Sequence, residues 1–184
     1  MANQPNIENF VTLYHCSTED ALAKIRKEGL LPFFDLCPEQ RGGNDSVRGE
    51  IDLKFNEFAP IGLDRQRCIY AWLSKEDGEM NSENTWSYNR DTHIFLPVKV
   101  DIDKALVADV SYVTSVFNAY LLSEYVRLEF LQKNIRNYWS SALILKQFLS
   151  LTPEEKSRIK IPEVLIPGPI SPEFIEFPNG EKTI

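Results

Sequence analysis

The sequence contains few of the residues that bind transition metals or form disulfides. It has two histidines, His15 and His93, and three cysteines, Cys16, Cys37 and Cys68. The cysteines do not have the Cys-x-x-Cys spacing of zinc sites and redox pairs. We therefore expect no metal site, and we expect the cysteines to be reduced thiols.

Long apolar runs are also missing. Residues 1–9 are polar and contain Pro5, unlike a signal peptide, and no stretch has the length of a membrane-spanning helix. This pattern predicts a soluble, cytoplasmic protein with no membrane partner. The 184 residues, of which 43% are hydrophobic, can bury a substantial core, so we expect a single domain over residues 1–184.

Positive charge is in the minority. The net charge of −7 repels phosphate backbones at long range, so a protein partner is favoured over nucleic acid. Gly42-Gly43 indicates a flexible loop, because no Lys-Ser/Thr follows to complete a phosphate-binding P-loop. The surrounding residues 32–60 have little periodicity and are expected to be irregular.

The most informative stretch is 11–32. Residues 11–14 are β-branched and aromatic and predict a strand, after which Ser17 or Thr18 can cap a helix. Gly29 stands where a left-handed C-terminal cap ends that helix. His15 therefore falls between a strand end and a helix start, where a polar side chain projects into a cleft.

Periodicity predicts the remaining elements. Residues 68–74 and 93–101 are apolar runs typical of strands, and Pro97 within the second indicates an edge or a bulge. The segment 81–89 predicts a short helix or a loop. Apolar residues at spacings of three and four over about 112–149 predict one long helix or two with a bend, with the aromatic residues in the core.

The last part of the chain predicts a short helix and a strand. Thr152-Pro153 begins the helix, which we expect to end at Arg158. Glu163 begins the strand, and Pro167-Gly168-Pro169 turns the chain after it.

Three motifs occur in a familiar order. The first, Leu13-Tyr14-His15-Cys16-Ser17, precedes a helix that ends in Gly29-Leu30-x-Pro32, the second is Ile69-Tyr70, and the third starts at Glu163-Val164-Leu165-Ile166-Pro167. Together they resemble the His-Tyr-Glu signature of the ADP-ribosyltransferase superfamily, which includes the poly(ADP-ribose) polymerases and diphtheria toxin. The last motif is similar to that of the DNA-modifying toxins. The resemblance implies an α+β fold with a split β-sheet that holds NAD, and it leaves the helices at about 112–150 as an insertion.

The resemblance also implies roles for individual residues. His15 would hydrogen-bond the adenosine ribose of NAD, the backbone at Cys16 would meet the nicotinamide amide, and Tyr70 would pack on the nicotinamide side. Ser17 belongs to the same NAD-binding motif. Cys16 departs from the pattern, because the superfamily usually has glycine there, and a side chain can crowd the approach of nicotinamide.

Glu163 is the expected catalytic residue. Cleavage of the bond between nicotinamide and ribose builds an oxocarbenium-like cation, which a nearby carboxylate stabilises. The same carboxylate can orient a ribose hydroxyl or deprotonate the incoming nucleophile. Trp86 or Tyr88 could supply a second aromatic wall around the nicotinamide.

These residues predict an NAD-dependent mono-ADP-ribosyltransferase, in the setting of a toxin or an effector, that modifies a macromolecule and releases nicotinamide. Other interpretations stay open. The fold could be a catalytically inactive protein-binding module that uses the helices at 112–150, an RNA 2′-phosphotransferase or a DNA ADP-ribosyltransferase. His15 could simply bond a backbone carbonyl, Tyr70 could be a core residue, and Glu163 could form a structural salt bridge.

Overall fold

The computed structural model of the protein describes residues 9–32, 35, 45–85, 92–122 and 126–178. The predicted positions Cys37, Gly42-Gly43, Trp86 and Tyr88 lie outside these residues. The fold is α+β. The helices are α1 (Leu22–Glu28), α2 (Asp45–Asn56), α3 (Lys75–Thr85), α4 (Ser111–Leu122), α5 (Leu128–Ser141), α6 (Leu145–Ser150) and α7 (Pro153–Lys156). The strands are β1 (Phe10–Thr18), β2 (Cys68–Ala71), β3 (His93–Asp101), β4 (Leu106–Asp109), β5 (Leu143–Ile144) and β6 (Pro162–Pro167).

The strands form two antiparallel sheets. One contains β1 and β3, and the other has the order β2-β6-β4-β5. The sheets meet where Tyr14 of β1 and Trp72, just after β2, exchange two backbone hydrogen bonds of 2.9 Å. Beyond this bridge β1 continues along β3 as far as the pair Thr18 and His93. Because β1 and β2 belong to different sheets, we call the place next to His15, just past this bridge, the gap between the sheets.

The four-stranded sheet has an apolar core on each face. Val164 and Ile166 of β6 pack into the first core, with Leu13 of β1 and Leu96 of β3. Leu165 points the other way, into a second core formed with helices α2, α4 and α5. This opposition follows from strand geometry, in which successive side chains alternate between faces. Glu163 is two residues before Leu165 and therefore lies on the helix-covered face.

The first strand is longer than predicted. Every residue of β1 is paired with β3, so His15 and Ser17 lie inside the strand rather than at its end. Thr18 precedes a short 3₁₀ helix at Glu19–Ala21, whose backbone donates no capping bond to the Thr18 side chain. The predicted junction was thus placed too early, because long-range pairing with β3 extends the strand past the local signal.

The predicted end of the first helix is confirmed at Gly29, with one change in geometry. Its φ is 81° but its ψ is −171°, so the residue is extended with positive φ rather than a left-handed helical cap. Leu30 and Ile170 then exchange backbone hydrogen bonds of 2.9 and 3.0 Å. A Cβ at Gly29 would lie 2.1 Å from the Ile170 carbonyl oxygen, so this close approach needs glycine.

Two predictions for the middle of the chain were wrong or incomplete. The interval 32–60 was expected to be irregular, but α2 occupies its second half and brings Asp52 and Phe55 to the sheet. The helical interval 112–149 contains α4, α5 and most of α6, and the short strand β5 interrupts it. The strand β4 was not predicted at all, because four residues at the sheet centre carry little periodic signal.

The predictions for the end of the chain were closer. Thr152 caps α7 in a reciprocal capping box with Glu155, and Pro153 occupies the first turn, although the helix ends at Lys156 rather than Arg158. The predicted strand at Glu163 is β6. None of the helices within the described ranges has both the length and the apolar character that a bilayer crossing requires.

Candidate functional site

The Glu163 carboxylate lies between the four-stranded sheet and the helices. Its Oε1 accepts hydrogen bonds of 2.7 Å from Arg65 Nη1 and 2.7 Å from the Tyr138 hydroxyl. Only 5% of the residue is exposed to solvent. A charge at this depth is stable only with close partners, and the two donors provide them.

Arg65 is the hub of the site. Its Nε donates to Asp52 Oδ1 at 2.8 Å while its Nη1 reaches Glu163, so one guanidinium faces two buried carboxylates. The same Nη1 also contacts the Tyr138 hydroxyl. The planar fork of arginine can bind two carboxylates at once, which a lysine ammonium does less well.

Aromatic rings surround the Arg65 guanidinium. Its Cζ lies 4.6 Å from the ring centroid of Tyr138, 5.0 Å from that of Tyr70 and 5.6 Å from that of Phe55. The faces of such rings attract cations, so they offset part of the loss of water around the guanidinium. The Phe55 and Tyr138 rings also pack edge to face, with centroids 5.2 Å apart, which joins α2 to α5.

Electrostatics favour the protonated forms of Arg65 and Tyr138. Burial disfavours a charged guanidinium, but attraction to Glu163, Tyr138, Tyr70 and Asp52 raises the pKa of Arg65 well above its usual value. Burial also raises the pKa of Tyr138 well above the ordinary tyrosine value, and the charge of Glu163 adds to this shift. Tyr138 therefore remains a hydrogen-bond donor at any working pH.

Tyr70 connects this network to the gap between the sheets. Its hydroxyl donates to the Arg65 carbonyl oxygen at 2.7 Å, and its own carbonyl oxygen lies 2.7 Å from His15 Nδ1. The His15 ring thus bridges β1 and β2 next to the pair formed by Tyr14 and Trp72. His15 contacts the main chain of Tyr70, whereas the Tyr70 ring faces Arg65.

The other residues predicted for NAD binding flank this gap on β1. Cys16 pairs with Phe95 and Ser17 pairs with Ile94, and both residues are partly buried. Trp86 and Tyr88, the proposed second wall, lie outside the described residues. The structure therefore brings His15, Tyr70 and Glu163 into one connected region, in which Arg65 is the link.

Sequence reasoning missed Arg65, Asp52 and Tyr138 as members of the NAD site. The position of Arg65 shortly before the strand of Tyr70 is a signal that could have been used. Tyr138 continues the buried stripe of Leu131 and Ile135 at helical spacing. The sequence could not show that the Tyr138 hydroxyl contacts Glu163, because a tyrosine at this spacing is also typical of ordinary core packing.

The described cysteines are reduced, and Cys68 is unreactive. Burial raises the pKa of the Cys68 thiol to about 12, and its Sγ donates to the Asp64 carbonyl oxygen at 3.3 Å. A thiol is a poor nucleophile in that state. Within the described ranges no cluster of three or more His, Cys, Asp or Glu side chains is arranged to hold a metal ion.

Comparison with known proteins adds no family to this description. No protein-family model matches the chain, and no curated protein sequence matches it.

Proposed function

We propose that the protein is an NAD-dependent mono-ADP-ribosyltransferase with a split-sheet fold of the ADP-ribosyltransferase type. It transfers ADP-ribose from NAD to a macromolecular acceptor, with protein favoured over nucleic acid, and releases nicotinamide. Glu163 is the catalytic carboxylate, and the neighbouring parts of β1 and β2 at His15 and Tyr70 hold the NAD.

The observation that carries the proposal is one continuous network. His15 Nδ1 meets the Tyr70 carbonyl oxygen, the Tyr70 hydroxyl donates to the Arg65 carbonyl oxygen, and Arg65 donates to Glu163. The three residue types that the resemblance requires come from β1, β2 and β6, far apart in sequence. Their connection through Arg65 supports a shared site.

The proposed reaction needs a carboxylate in this position. The bond between ribose C1′ and the nicotinamide nitrogen breaks, and nicotinamide leaves with the electron pair as a neutral molecule. An acceptor nucleophile then bonds to C1′ and loses its proton. Glu163 stabilises the positive charge that develops on the ribose and can accept a hydrogen bond from a ribose hydroxyl.

Glu163→Gln tests the catalytic role. The amide keeps an oxygen that can accept from Arg65 and Tyr138, so the fold is expected to survive while the negative charge is lost. We expect NAD consumption and ADP-ribose transfer, measured with labelled NAD and a cell lysate, to fall about 10²–10³-fold. NAD binding, measured by calorimetry, is expected to persist.

The matched control is Glu129→Gln, the same chemical change on an exposed carboxylate of α5. It should leave turnover unchanged. Wild-type protein that neither consumes nor binds NAD would contradict the proposal. Turnover at the wild-type rate in Glu163→Gln would remove Glu163 from the catalytic role.

One observation favours a second candidate, a catalytically inactive protein-binding module. The Glu163 carboxylate is buried and ion-paired, which is also the arrangement of a purely structural charge network. Helices α4 and α5 expose apolar side chains that a protein partner could cover, namely Leu121, Leu122, Leu128 and Phe130. This candidate predicts no rise in melting temperature with NAD, whereas the enzyme predicts a rise that grows with NAD concentration.

The RNA 2′-phosphotransferase alternative requires arginines that converge on the cleft. Arg65 is engaged by two buried carboxylates, while the Arg67 side chain is 63% exposed and lies 3.6 Å from Asp64. One of these arginines is buried among carboxylates and the other is exposed, so we favour ADP-ribose transfer. A DNA acceptor is distinguished from a protein acceptor by nuclease and protease treatment of the labelled product.

A further inference from the structure

The Glu163 carboxylate accepts its two hydrogen bonds on the same oxygen. Both donors, Arg65 Nη1 and the Tyr138 hydroxyl, bind Oε1. Among the residues that the structure describes, none donates to Oε2, and the side chain keeps 6% of its exposure. One oxygen is therefore anchored, while the other retains capacity to accept a hydrogen bond.

We propose that Tyr138 and Arg65 are positioning residues that anchor Oε1 of Glu163 so that Oε2 accepts a hydrogen bond from a ribose hydroxyl of NAD. The inference rests on the proposed function and deepens it. It also assigns a role to helix α5, which lies in the segment that the sequence resemblance leaves out.

The physical reason is preorganisation. A free glutamate side chain loses rotamer entropy when it is ordered. In this protein two donors on one oxygen order the carboxylate during folding, before any substrate arrives. A carboxylate that is held in place stabilises developing charge without reorganising at the moment of reaction.

Tyr138 is suited to this task because its ring is itself fixed. It is fully buried, and it packs edge to face against Phe55 and against Trp139, whose ring centroid is 4.8 Å away. The Trp139 indole Nε1 donates to the Phe55 carbonyl oxygen at 2.7 Å, which fastens α5 to α2. The Tyr138 hydroxyl is therefore held next to Glu163 by packed helices rather than by a loop.

Tyr138→Phe removes the hydroxyl and keeps the ring. We expect kcat for NAD consumption to fall about tenfold while KM for NAD stays within about twofold, because the loss concerns the transition state rather than ground-state binding. Arg65→Lys is expected to lower kcat about a hundredfold, since an ammonium cannot span Asp52 and Glu163 as the guanidinium fork does.

Tyr112→Phe is the matched control. It removes a hydroxyl from α4, where Tyr112 packs partly buried against the same helical core, and it should leave both kinetic constants unchanged. Thermal unfolding of all variants shows whether they are folded at the assay temperature. If Tyr138→Phe does not fold, the kcat of Arg65→Lys is used instead to test the positioning role.

The outcomes separate this inference from the proposed function. Wild-type protein that consumes NAD, with kcat lowered and KM retained in Tyr138→Phe, supports the positioning role. If Glu163→Gln is inactive but Tyr138→Phe has the wild-type kcat, the positioning role is refuted and the enzyme assignment stands. A raised KM with unchanged kcat also refutes it. Wild-type protein that does not turn over NAD removes both proposals together.

Discussion

Loss of the buried Arg65 charge is expected to destabilise the fold more than loss of the buried Glu163 charge, and Arg65→Met tests this expectation. In the native protein one guanidinium serves two carboxylates, Asp52 and Glu163, all of them at most 5% exposed. Removing the cation leaves two buried negative charges without their partner. Breaking one buried ion pair costs about 3–5 kcal/mol, and here two are lost at once.

We therefore expect Arg65→Met to destabilise the protein by about 5 kcal/mol or more, a large share of the stability of an ordinary domain, which is about 5–15 kcal/mol. Glu163→Gln is the comparison. It leaves Arg65 paired with Asp52 and keeps an acceptor for Tyr138, so its cost should be about 1–2 kcal/mol.

The measurement is urea denaturation at neutral pH, with the free energy of unfolding extrapolated for each variant and the slope checked for two-state behaviour. The reasoning is refuted if Arg65→Met is no more destabilising than Glu163→Gln. In that case the carboxylates do not depend on the guanidinium, and the network is not the centre of the site.

Two further predictions concern stability at Cys68 and at Gly29. Because burial raises the pKa of Cys68 to about 12, the stability contributed by this thiol is full well below the unfolded thiol pKa and falls as pH rises, by about 1 kcal/mol between about pH 9 and 10. Cys68→Ala should remove that slope in denaturation series, and an unchanged slope argues against the shift. Gly29→Ala should lower the melting temperature far more than Gly62→Ala, since φ is positive at both but only Gly29 has a carbonyl oxygen, that of Ile170, in the way. If both variants lose the same amount of melting temperature, the positive φ rather than the contact with Ile170 accounts for the effect.

The elements that were predicted correctly depend on local or periodic signals. The capping box at Thr152 involves residues three apart, and the buried stripe of α5 repeats at helical spacing. The strand β2 is a short apolar run between charged flanks. In each case the residues that determine the conformation are close together in the chain, so the sequence pattern is enough.

The elements that were missed depend on distant partners. β1 extends to Thr18 because β3, more than seventy residues later, pairs with it along its whole length. The short strand β4 is a strand because it lies between β6 and β5. α2 has a weak apolar pattern, and its place is set by Phe55, which is fully buried against the second core.

The candidate site also contains residues that sequence motifs indicated and residues that only the structure revealed. His15, Tyr70 and Glu163 could be singled out from motifs along the chain, and so could the residue types needed for the proposed chemistry. Their connection through Arg65 could not, because Arg65 and Glu163 are 98 positions apart and Tyr138 comes from a helix that no motif covers. A buried charge selects its partners by proximity in space, since desolvation penalises any carboxylate or guanidinium left alone. Chain neighbours thus determine the helices and strands that have strong local patterns, whereas the packing of sheet against helices determines the remaining elements and which side chains share the site.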